Sequence, residues 1–167
     1  WDTVMNYDAF MEPLSFFLTG MEKHSDYYDH ELYQNGKAFF DSMREKMSAM
    51  QITTLMCSMN ELSNHDHSRF MTRTNKRVGR LNTVGSDTAG QCLRKEIFRE
   101  AVVVQMTWPG APTIYYADEA GQVGWTDPDC RRTYPWGRED KELIQLHKEL
   151  IAIRKAHPVF TKGSIIE

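Results

Sequence analysis

The chain has 167 residues, enough for a sizeable core, with 20 Lys+Arg against 23 Asp+Glu and a formal net charge of -3. That balance, without a long basic run, leaves no electrostatic footprint for nucleic acid, and no apolar run approaches the roughly 18 residues of a membrane span. The three cysteines Cys57, Cys92 and Cys130 are far apart and odd in number, which argues against a disulfide framework or a CxxC metal site and favours a reducing compartment, with cytoplasmic location as the expectation.

In chain order, Val4-Met5-Asn6-Tyr7 reads as a short strand and Glu12–Leu18 as a helix with Pro13 in its first turn and Gly20 at its end. Residues 21–35 are polar and Tyr-rich, an irregular insertion or a short helix. Residues 37–50 place Phe40, Met43, Met47 and Met50 at helical steps, with Phe39 widening the stripe. The β-capable run 53–59 reads as a strand buried on both faces. Residues 72–90 are polar and Gly-bearing, a loop on the face of the preceding polar cluster. A helix follows with Leu93, Ile97, Ala101 and Val104 on its apolar side, broken at Trp108-Pro109 because proline lacks the amide proton. Thr113-Ile114-Tyr115-Tyr116 is the next strand, and residues 139–156 form the last helix, with Leu143, Leu146, Leu150 and Ile153 on one side. Strands alternating with helices predict an α/β fold with a parallel sheet.

The most chemical stretch is Asn64-His65-Asp66-His67-Ser68-Arg69-Phe70. It packs an amide, two imidazoles, a carboxylate and a guanidinium just past an expected strand end, where α/β folds bind ligands. Two other readings stand beside it. Asn64 and Asp66 can cap a solvated turn. A metal site at His65, Asp66 and His67 is disfavoured, since neighbouring side chains on an extended backbone point to opposite faces. Asp118-Glu119 reads as structural charge, and Asp127 and Arg131 are spaced to form a surface ion pair of little energetic weight.

Asn64-His65-Asp66, then the run from Pro109 to Glu119 (Pro-Gly-Ala-Pro-Thr-Ile-Tyr-Tyr-Ala-Asp-Glu), then Asp127-Pro128-Asp129-Cys130-Arg131, together resemble the alpha-amylase superfamily of glycoside hydrolases, nearest to the neopullulanase, cyclomaltodextrinase and maltogenic amylase group. The resemblance spans nearly the whole chain and departs at Ala117, where the family often has Gly. It implies the C-terminal portion, about strands six to eight with their helices, of a TIM (β/α)8 barrel over residues 1–160, with residues 161–167 opening a following β-domain. It further implies a retaining hydrolase acting on α-glucans, in which Asp66 is the carboxylate that stabilises the oxocarbenium-like transition state. By the same resemblance His65 and Asn64 belong to the sugar-binding motif, and Asp127 and Arg131 contact the neighbouring sugar. Trp125 is a candidate stacking platform. The family's nucleophile and general acid lie on strands four and five, so neither role is assigned here. A barrel needs eight strands to close, so this chain alone is expected to be inactive and to self-associate through open sheet edges. No cofactor is implied, although calcium occurs in intact family members. A non-catalytic carbohydrate-binding or structural fragment is the alternative.

Overall fold

The computed structural model describes residues 3–163. A π-helical turn, Tyr7–Met11, leads directly into α1 (Glu12–Thr19), which carries Pro13 in its first turn and stops at Gly20. Gly20 sits at φ +75°, a left-handed conformation suited to glycine, and its N–H donates to the Phe16 carbonyl. After the irregular segment 20–35, α2 (Gly36–Ser48) begins where the Asn35 side chain accepts from Ala38 N–H. Its buried face centres on Phe39 and Met43, four residues apart, while Phe40 is 43% exposed.

Of residues 53–59, expected as a strand, 53–57 are helical instead: α3 runs Ile52–Cys57. Its β-branched residues meet no pleated surface, and Leu55 is its sole buried residue, so propensity yields to context. The backbone becomes extended at Ser58, and β1 is Met59–Glu61. Two short helices, α4 (Phe70–Arg73) and α5 (Leu81–Val84), and a 3-10 turn at Ser86–Gly90 occupy the stretch expected as loop. Then comes α6 (Lys95–Thr107), which buries Phe98, Ala101, Val102, Gln105 and Met106. Of the expected stripe Ala101 lies on that face while Leu93, Ile97 and Val104 flank it, because polar Gln105 belongs to its centre: its amide donates to the Asn60 and Thr113 carbonyls.

Strand β2 is Ala111–Thr113, two residues earlier than expected. It pairs in parallel with β1, Met59 against Ala111 and Glu61 against Thr113, and β1 is bridged in parallel on its other side by Met5. The expected parallel arrangement is therefore present, with β1 in the middle. Gly110, at φ +121°, lets the chain enter β2 over the Asn60 amide, which a Cβ would approach to 2.6 Å. The last long helix, α7 (Lys141–Ala156), is capped by Asp140, which accepts from Glu142 and Leu143 N–H. Arg154, near its end, donates to the carbonyls of Met106 and Gly110 and so fixes α7 to the approach of β2. A final turn, α8 (Val159–Lys162), includes Thr161 and Lys162, the first residues of the segment expected to open a β-domain; residues 164–167 of that segment lie outside the described residues.

The core joins Phe10 and Leu14 from the N-terminal helices, Phe39 and Met43 from α2, Leu62 and Phe70 around the site loop, Phe98 and Met106 from α6, and Leu143 from α7. One wall of this core is the support on which the polar loop after β1 rests.

Candidate functional site

The loop after β1 bends at residues 65–67, between Leu62 and Phe70, both buried. Asn64, expected among the sugar contacts, is 2% exposed and is used up internally. Its Oδ1 accepts from the N–H groups of Asp66 (2.9 Å) and His67 (3.0 Å), and its Nδ2 donates to the Tyr7 hydroxyl (3.0 Å). It shapes the loop as an Asx turn and touches no open surface.

His65 and Asp66 stand outward, their side chains about half exposed. Because the backbone bends, His65 Nε2 lies 3.5 Å from Asp66 Oδ1, contrary to the divergence expected for an extended chain. His67 turns inward instead, 3% exposed, with its ring edge-on to Tyr7 (4.9 Å) and His24 (4.6 Å). Burial, with Arg73 and His24 adding to it, holds its imidazole down to a pKa of about 3, so it is neutral near pH 7.

The turn 124–131 grips this loop by its backbone. The Asp66 carbonyl accepts from the Thr126 hydroxyl and from Asp127 N–H (3.1 Å). The His65 carbonyl accepts from Arg131 Nε (2.9 Å) and from the Cys130 thiol (3.1 Å). Arg69 N–H donates to the Gly124 carbonyl. Gly124 is required here, since a Cβ would come within 2.3 Å of the Asp129 carbonyl. Asp127 and Arg131 form the ion pair expected from their spacing, Oδ1 to Nε 2.6 Å, and Arg131 also lies 3.8 Å from Asp66. His65, Asp66, Asp127 and Arg131 thus converge on one surface.

Trp125, a candidate sugar platform, is fully buried. Its indole N–H points to the Gly85 carbonyl and the Thr88 hydroxyl, which removes the ring from any ligand. Ala117, the departure from the family pattern, sits at φ +67°, a conformation costing a non-glycine residue about 1 kcal/mol.

Beneath the loop lies a buried charge cluster that sequence reasoning named only in part. Arg69 is fully buried, bonded to Asp118 (2.9 Å) and to the Cys130 and Tyr116 carbonyls, and it stacks on Tyr115. Asp118 is accordingly structural. Glu61, at the end of β1, was missed. It is 4% exposed, and burial, with Asp118 adding to it, pushes its carboxyl up to about 7. The signal was a lone acid beside an apolar residue, which periodicity does not distinguish from a solvent-facing one.

A fold of parallel strands with a polar corner at their carboxyl ends defines an α/β protein with a polar strand-end loop. The chain belongs to the alpha-amylase family: the family model for the alpha-amylase catalytic domain matches residues 2–136. Among curated relatives, Neopullulanase 2 of Thermoactinomyces vulgaris is 33% identical over 99% of this chain and 24% of its own length. An amylopullulanase of Thermoanaerobacter thermohydrosulfuricus is 40% identical over 65% of this chain and 7% of its own length. The solved debranching enzyme of Nostoc punctiforme superposes with a TM-score of 0.74 at 27% identity, covering 98% of this chain and 31% of that one. The chain therefore spans about a quarter or less of the length of these curated relatives.

Proposed function

We propose that this chain supplies the substrate-gripping corner of a retaining glycoside hydrolase acting on α-glucans such as starch, maltodextrin, cyclodextrin or pullulan. In this reading the Met5 segment, β1 and β2 are strands six, seven and eight of a (β/α)8 barrel. The observation that carries it is the pairing of outward His65 and Asp66 side chains on a loop whose backbone is tied down from both sides. A carboxylate held there accepts from two adjacent sugar hydroxyls, and such charge-assisted bonds are about twice as strong as neutral ones. Their strength grows as positive charge develops on the ring, so Asp66 raises the rate by electrostatic preorganisation and moves no proton. His65 donates to a hydroxyl of the same sugar, while Arg131 and Asp127 receive the next. Asn64 shapes the loop and makes no sugar contact.

The bond-breaking nucleophile and acid belong to other strands of the same barrel, so the chain by itself releases no reducing sugar. The test is to express the full reading frame and assay cyclodextrin, pullulan and starch, with Asp66→Asn in parallel. Loss of about 10²-fold or more in kcat on Asp66→Asn is expected. Full activity in that variant, or hydrolysis by the purified chain alone, would refute the reading.

A further inference from the structure

The segment 20–35, irregular and remote from the sequence motifs, packs against the loop after β1, and its His24 reaches the turn that holds Asp66. His24 Nδ1 lies 2.7 Å from the Thr126 hydroxyl, and that hydroxyl in turn bonds the Asp66 carbonyl. Proton bookkeeping fixes the direction of both bonds. A carbonyl only accepts, so the single hydroxyl proton of Thr126 goes to Asp66. The hydroxyl then meets His24 as an acceptor, and Nδ1 must carry the proton.

We infer that His24 and Thr126 form a two-step hydrogen-bond relay onto the Asp66 carbonyl and act as positioning residues for the sugar-binding face of His65 and Asp66. The inference rests on the reading of Asp66 as the sugar-gripping carboxylate. Three further contacts make the relay stiff. Glu22 Oε2 accepts from His24 N–H (2.8 Å), fixing the backbone that carries the imidazole. The Lys23 carbonyl accepts from both the N–H and the hydroxyl of Ser68, two residues past Asp66. The Ser25 and Ser68 hydroxyls bond at 2.8 Å. His67 closes the fourth side, its ring 4.6 Å from His24 and nearly perpendicular to it. Chained bonds polarise one another, so loss of the imidazole weakens the Thr126 bond that it does not itself make to Asp66.

The substitutions are made in the enzyme whose barrel includes this chain, and maltodextrin hydrolysis is measured. Thr126→Val, which keeps the shape and removes the hydroxyl, is expected to lower kcat about tenfold, the scale of one lost hydrogen bond, with KM little changed. Thr126→Ser restores most of that loss. His24→Asn, which keeps an N–H near the Nδ1 position, stays close to the parent, and His24→Leu falls with Thr126→Val. A nitrogen-15 measurement on the chain is expected to find the proton on His24 Nδ1. Parent-like kcat in Thr126→Val, a Thr126→Ser as impaired as Thr126→Val, or an imidazole protonated at Nε2 alone would each overturn the relay. If Thr126→Val does not fold, His24→Leu against His24→Asn and the nitrogen-15 result decide. Asp66→Asn, run alongside, separates the two layers: inactive Asp66→Asn beside unaffected Thr126→Val refutes the relay alone, whereas active Asp66→Asn refutes the sugar reading beneath it.

Discussion

Glu61 makes the stability of this chain fall as pH rises through neutrality. In the unfolded chain its carboxyl has an ordinary value near 4.5, whereas in the folded chain burial and the charge of Asp118 raise it to about 7. Between those values the native state holds a proton that the unfolded state has released, so stability declines with pH across that window. The contribution is fully present below pH 4.5 and gone above about pH 7. The difference of about 2.5 pKa units corresponds to about 3 kcal/mol, a large share of the stability of a domain this size. Glu61→Gln keeps the size of the side chain and cannot ionise. Urea unfolding of both proteins from pH 5 to pH 9 is the assay, because the parent then loses about 2.5 kcal/mol relative to the variant. Asp118 is present in both, so the divergence belongs to Glu61 and its coupling to that neighbour. Parallel pH profiles for parent and variant would refute the reasoning.

His67 acts in the opposite sense: its folded value near 3 against 6.5 unfolded means that stability is lost as pH falls below 6.5, by about 3 kcal/mol at pH 4, and His67→Gln flattens that limb when the unfolding series is extended down to about pH 4. Gly124→Ala drives a methyl into the Asp129 carbonyl and is expected to cost about 2 kcal/mol or more in thermal unfolding, while Gly36→Ala, where a Cβ meets open space, changes stability little. The Met5 segment and β2 each pair with β1 on one side among the described residues, so the chain is expected to self-associate, and light scattering that finds only monomer at high concentration counts against this.

The order of elements and the motif loop were readable from the sequence because they rest on strong local signals. Pro13 and Gly20 bracket α1, and Trp108-Pro109 ends α6. Strand positions were less accessible. Residues 53–59 carry the composition of a buried strand, yet the paired strand is only Met59–Glu61, and what selects it is the register with Ala111–Thr113, a partner fifty residues away. Nor does a list of polar residues reveal which of them are consumed. Asn64, Trp125 and His67 all looked available, and each is buried with its polar atoms or ring turned to neighbours from distant segments. Conversely, the gripping of His65 and Asp66 through their carbonyls involves Thr126, Cys130 and Arg131, contacts that no spacing rule connects to residues sixty positions earlier.

Those occupied carbonyls have an evolutionary consequence. Since the loop is anchored through main-chain atoms, its shape is insulated from the identity of the two side chains that it presents. Replacements at His65 change the chemistry that the corner presents without refolding the corner itself, whereas Asp127 also holds the Arg131 side chain that anchors the His65 carbonyl. Under the proposed function, single substitutions can then retune preference among glucans while the frame that holds the Asp66 backbone stays constant.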